Sequence, residues 1–169
     1  MDSAALEARL AALEQKVDEF EAKDEVRAAL LEYCRLNDVL TEVDALVDLY
    51  TDDAVLTNPA GRHEGKVAIR TYLENFFDGS VTFSRHHALQ PVITIPEPGV
   101  AHIDAYFIAL LGKNGSSNIA IGRYDDTLVK TDAGWRYSVK NNVIVGMTTA
   151  EKGWAYGFDG GAPREQAAN

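Results

Sequence analysis

The sequence predicts an α+β fold in which N-terminal helices pack on a mainly antiparallel sheet. Two observations carry this. Apolar residues in the first half recur at helical spacing, and the second half consists of long β-rich runs joined by turns too short to hold a helix. Helices first and strands afterwards is the α+β order.

Leu6, Leu10, Leu13, Val17 and Phe20 alternate steps of four and three, with Glu7, Arg9, Glu14, Lys16 and Glu19 between them. Residues 1–22 are therefore expected as an amphipathic helix with a narrow apolar seam. Two heptads leave two readings open, a helix packed on its own domain or one packed between subunits. Asp24 is the expected cap of a second helix through Val26, Leu30, Leu31 and Cys34 to Asn37 and Asp38. A third, short helix covers residues 43–50 and stops at Asp52-Asp53. A strand over 54–57, a turn at Asn58-Pro59-Ala60-Gly61 and a fourth helix over 66–77 complete the first half. Val67, Ile69, Tyr72, Leu73 and Phe76 are the expected buried side of that helix.

Strands are expected over 82–95, 100–111, 118–130 and 135–145. Between them lie Pro96-Glu97-Pro98-Gly99, Gly112-Lys113-Asn114-Gly115 and Thr131-Asp132-Ala133-Gly134, which are hairpin connections and make the strands antiparallel neighbours. The main domain is expected over 23–152 and a tail over 153–169. Trp154, Tyr156 and Phe158 are expected to dock the first part of that tail, while 163–169 fray.

A chain of 169 residues fits one domain. Its 26 acidic and 16 basic residues give a net charge of −10, with no Lys/Arg cluster. Nucleic acid and anionic membranes are thus not expected partners. Cys34 is the only cysteine, which excludes an intrachain disulfide and a Cys-rich zinc site and reads as a buried core thiol. No apolar run approaches the ~20 residues of a spanning helix, and a cytoplasmic protein is expected. No histidine pair has the i, i+4 spacing of a helical metal site, so no metal is expected. Without a Gly-rich phosphate loop, a Gly-x-Ser-x-Gly elbow or a dinucleotide fingerprint, no cofactor is expected either.

What remains is acid–base chemistry, in which an imidazole works with a carboxylate near neutral pH. Strand alternation separates His86, Ala88 and Gln90 from Arg85, His87 and Leu89 and leaves open which set faces inward. Asp38 ends the run Tyr33-Cys34-Arg35-Leu36-Asn37-Asp38, where a plain solvated loop residue is the alternative reading.

Several segments, in order, resemble the SnoaL-like branch of the nuclear-transport-factor-2-like superfamily, the α+β cones with a cystatin-like fold. They are Tyr33-x4-Asp38, Leu49-Tyr50-Thr51-Asp52-Asp53-Ala54, Gly65-Lys66-Val67-Ala68-Ile69, Arg85-His86-His87, Gly122-Arg123-Tyr124-Asp125-Asp126 and Gly134-Trp135-Arg136. Within that branch the pattern is nearest bile acid 7α-dehydratase and more distantly similar to scytalone dehydratase and hexachlorocyclohexane dehydrochlorinase. The resemblance implies a strongly curved sheet enclosing an apolar pocket, and a cofactor-independent lyase that removes water or HCl from apolar ring compounds. It implies His86 as the catalytic histidine, Asp38 as the carboxylate that orients it and Tyr33 as a pocket hydroxyl. By the same resemblance and by strand alternation, Tyr50, Asn58, Phe107, Tyr124, Lys140 and Asn142 are the expected substrate-binding residues, and Ala109 faces inward while His102 and Asp104 face out. The chain departs from the bile acid enzyme at Ala109, Ile144 and Asn58, where that enzyme carries Asp, Arg and Tyr.

The expected ligand is a small apolar molecule, aromatic or polycyclic and hydroxylated. A dehydratase-type elimination is the leading reading. A proton-shuttling isomerase, a retro-aldol lyase that releases an aldehyde, and a non-catalytic ligand-binding or assembly domain are the alternatives. Retention of Tyr33, Asp38 and His86 together favours the enzyme. The resemblance also implies association, with a homotrimer expected and a homodimer as the alternative, and the seam over residues 6–20 gives a physical reason for more than a monomer.

Overall fold

Residues 3–39 contain no glycine or proline and are rich in Ala, Leu and Glu, so helical propensity is uninterrupted. In the computed structural model, which describes residues 2–154, they form one helix, α1 (Ser3–Val39). At 1.5 Å per residue it is about 55 Å long. The Asp2 side chain accepts from the Ala4 N–H at its start, and Leu40, in the left-handed region at φ 66°, ends it. Asp24 does not begin a second helix as expected. It lies inside α1 and receives a 3.0 Å hydrogen bond from Arg27, because good helix formers on both sides carry the ladder through it. Only the second half of α1 packs on the body, through Val26, Leu30, Tyr33, Cys34, Leu36 and Asn37. Residues 2–21 are exposed throughout, so the seam does not pack on its own domain.

Helix α2 (Val43–Asp48) ends sooner than expected, because Tyr50 already opens strand β1 (Tyr50–Asn58) and Asp52-Asp53 lie within that strand. Strand β2 (Gly61–Glu64), not anticipated, turns back on β1 as a hairpin. Helix α3 (Gly65–Phe76) buries Ile69 and Leu73 and half-buries Tyr72 and Phe76. Val67 points away at 82% exposure, contrary to expectation, since two residues back from Ile69 is more than half a turn around the helix.

The four long strands are β3 (Val81–Glu97), β4 (Val100–Lys113), β5 (Ser116–Thr131) and β6 (Gly134–Thr149). They form consecutive antiparallel hairpins, and β1 joins β6 in parallel to give one sheet in the order β2-β1-β6-β5-β4-β3. Asn114 and Gly115 both take positive φ, the backbone of a tight two-residue hairpin turn. β3 carries a register shift between Leu89 and Val92, with Gln90 at φ 52° beside Pro91. An edge strand can spare the N–H that proline lacks, and such an irregularity bends the strand. The sheet so curved holds the second half of α1 against β3 and α3 against β1, with the core between. β4 alternates as expected: Ala101, Ile103, Ala105, Phe107 and Ala109 are buried, while His102, Asp104 and Tyr106 face out.

Trp154 is 68% exposed rather than docked, and Tyr156 and Phe158 lie outside the described residues. Among those residues no helix is long and apolar enough to cross a membrane. Cys34 is a free, buried thiol whose pKa burial pushes up, as fits a core residue.

Candidate active site

The last turn of α1 carries Asp38 to the inner face of β3. On that strand Ser84 is buried and His86 half-buried, whereas Arg85 and His87 are exposed, which settles the alternation in favour of His86. Three groups converge on one carboxylate oxygen. Asp38 Oδ1 accepts from the His86 backbone N–H at 2.9 Å and from Ser84 Oγ at 3.2 Å, and it lies 3.0 Å from His86 Nδ1. An ionised carboxylate can only accept, so Nδ1 carries the proton and Nε2 is left as the basic nitrogen. Burial pushes the His86 pKa below 6.5, against the pull of the Asp38 hydrogen bond and charge. The imidazole is therefore neutral at pH 7. Ser84 was not anticipated from the sequence; its signal was the two-residue spacing from His86.

His86 lies on the wall of a cavity of about 290 Å³ beneath α1 and α3. Leu56, Leu73, Phe76, Phe107, Ala109 and Ile144 make its apolar wall, and Tyr33, Asn37, Asn58, Tyr124 and Asn142 add polar groups. Tyr33 Oη accepts from Asn142 Nδ2 at 3.2 Å. Burial raises the Tyr33 pKa well above 10, so the hydroxyl stays protonated and keeps its own proton to donate. Asn58 Nδ2 and Asn142 Oδ1 are buried and have no partner in the protein, a donor and an acceptor left open for a ligand. Phe107 stacks on Tyr124 at 4.4 Å between centroids. Gly122 makes room for that ring, since a Cβ there would overlap the Val143 carbonyl oxygen and sit 2.6 Å from Phe107. Asn37, one turn past Tyr33 on the same helix face, was also missed; its amide donates to the Tyr33 carbonyl at 2.8 Å.

Of the nine residues singled out by sequence, His86, Tyr33, Asn58, Phe107, Tyr124 and Asn142 line this cavity, and Asp38 stands behind the wall, 3.0 Å from His86 Nδ1. Tyr50 and Lys140 do not reach its wall. Tyr50 is buried behind it with its hydroxyl unpartnered. Lys140 is fully buried, 2.8 Å from Asp126 Oδ2, with its ammonium 3.9, 4.0 and 4.7 Å from the ring centroids of Tyr33, Tyr124 and Tyr137. Burial pushes Lys140 down and Asp126 up, and the pairing opposes both shifts. Among the described residues no group of three His, Cys, Asp or Glu side chains is placed to hold a metal ion.

Comparison with known proteins adds a family and a fold. The SnoaL-like domain family matches residues 18–140. No curated protein matches the sequence significantly. Among solved structures, a candidate aromatic ring hydroxylase from Novosphingobium aromaticivorans superposes with a TM-score of 0.72 at 22% identity, covering 79% of this chain and 96% of the other. A candidate scytalone dehydratase from the same organism gives 0.69 at 20% identity, covering 74% and 85%. A hexachlorocyclohexane dehydrochlorinase from Novosphingobium barchaimii gives 0.70 at 14% identity, covering 79% and 93%. At these identities the likeness is one of fold.

Proposed function

The chain belongs to the SnoaL-like domain family, and from that premise we propose that it is a cofactor-independent lyase of the dehydratase type. The observation that carries the reading is the Asp38–His86 pair, 3.0 Å apart, with His86 on the wall of an apolar cavity. An oriented, neutral imidazole on an apolar wall is suited to proton abstraction. Two of the similar folds carry the names of eliminating enzymes, which supports the same class.

In this reading a hydroxylated ring compound occupies the cavity. His86 Nε2 takes a proton from the carbon next to the one bearing the hydroxyl. The C–H electron pair becomes the new double bond, and the C–O bond breaks. The imidazolium, stabilised by the Asp38 carboxylate as in other Asp–His pairs, returns its proton to the departing oxygen, so that water leaves and the neutral histidine is restored. Tyr33 donates a hydrogen bond to that oxygen, and the open amide groups of Asn58 and Asn142 hold a second polar substituent. A volume of about 290 Å³ is at the small end of ligand sites, which favours one or two rings.

A crystal soaked with a panel of hydroxylated one- and two-ring compounds tests this. The expected complex has a ligand carbon within about 3.5 Å of His86 Nε2 and the hydroxyl on Tyr33. A ligand seated away from His86 would leave a binding domain instead.

A further inference from the structure

The first twenty residues of α1 carry a pattern that nothing among the described residues uses. Leu6, Leu10, Leu13, Val17 and Phe20 lie between 52% and 72% exposed, and the helix that bears them runs about 30 Å beyond the first buried turn. Helices in proteins draw most of their stability from packing an apolar face; among the described residues this face packs on nothing.

The charges beside the seam say what covers it. In heptad notation Leu10 and Val17 occupy a, and Leu6, Leu13 and Phe20 occupy d. Every e position is then acidic, Glu7, Glu14 and Glu21, and every g position is basic, Arg9, Lys16 and Lys23. In a parallel pair of helices, g of one heptad meets e of the next heptad on the other helix, so Arg9 faces Glu14 and Lys16 faces Glu21 across the seam. In an antiparallel pair g meets g and e meets e, which sets like charges against each other. Arg9, Glu14, Lys16 and Glu21 form no ion pair within the chain among the described residues, so they are free to do this. The seam also ends where it must: Asp24 takes the next a position, and Val26 starts the stretch buried in the body.

We propose that the exposed N-terminal part of α1 forms a parallel, in-register coiled coil with a second copy of this chain. The self-complementary e and g charges name the partner as the same sequence. The two cones then emerge side by side from one end of the coil, each with its cavity complete. The proposal is independent of the activity, since no cavity residue takes part.

The test is mass by light scattering on the full chain, with Leu10→Glu/Leu13→Glu as the variant. Both positions are exposed and lie outside the cone's core, so the cone should keep its near-ultraviolet circular dichroism. The native chain should run above one chain mass, and the variant should fall to a smaller assembly. A monomeric native chain, or a variant of unchanged mass, overturns the proposal. Orientation is read by oxidation of Leu6→Cys against Ala8→Cys. Facing Cα atoms at d in a parallel pair come within disulfide reach, and those at f do not. Covalent dimer from Leu6→Cys alone is expected. No cross-link at position 6, or equal cross-linking at both, excludes the parallel register.

Discussion

Lys140→Met keeps the length of the side chain and removes its charge, which makes it a sensitive probe of the buried pair behind the cavity. At 2.8 Å and an effective dielectric near 20, the attraction to Asp126 is about 6 kcal/mol. Much of that is offset by the desolvation of both ions, so the pair itself adds little net stability. Removing one partner is different. Asp126 would remain fully buried, holding only the Asn141 N–H at 3.1 Å, and an uncompensated buried charge costs about 3–5 kcal/mol. With a urea m-value of about 2–3 kcal/mol/M, the unfolding midpoint should fall by roughly 1–2.5 M. The pH dependence has a definite sign. Burial already raises the Asp126 pKa, and losing Lys140 raises it further. A carboxylate with its folded pKa above its unfolded one binds a proton more readily when folded, so the penalty is largest at neutral pH and shrinks as pH falls through the folded pKa. Lys140→Met/Asp126→Asn should regain most of the loss. A single variant costing under about 1 kcal/mol, or a double variant no better than the single, would refute the reasoning.

Three further outcomes are expected. His86 should titrate below 6.5 by NMR of its ring protons, so that activity is full above that pKa and falls as pH drops through it. Asp38→Asn removes the charge that favours the imidazolium and should move the titration lower still; a rise would contradict the pairing. Gly122→Ala places a Cβ against the Val143 carbonyl and the Phe107 ring, and should cost about 1–3 kcal/mol in thermal or urea unfolding, whereas an unchanged melting temperature would show that the contact yields freely.

Much of the fold was legible because its signals are local. The period-two runs and their turn residues placed β3 to β6; alternation separated the Ala101–Ala109 face of β4 from the His102–Tyr106 face, and the family resemblance assigned the former inward, where it lies. Helix continuity was not, since Asp24 offers the same capping chemistry whether or not the backbone breaks there. β2 escaped notice because Gly61-Arg62-His63-Glu64 is a short, polar edge with no apolar alternation. At the site, resemblance and spacing brought Tyr33, Asp38 and His86 to attention, and the structure places them together. The depth of Lys140 was beyond reach for a specific reason. A straight hairpin counted from Thr131 and Gly134 sets Lys140 opposite Asp125; a bulge at Ser138 shifts the register by one, so that it faces Asp126 instead. Bulges leave little trace in sequence, and this one gives Lys140 a buried carboxylate partner under three tyrosine rings.

The most direct measurement is turnover followed by NMR in deuterated water, with hydroxylated one- and two-ring compounds offered to the native chain and to His86→Ala. The native chain is expected to form the alkene, with loss of the hydrogen from the carbon that His86 deprotonates, while His86→Ala still binds the compound and forms no alkene. Equal turnover by both proteins, or binding by the native chain with no product, would contradict the assignment of His86 as the base.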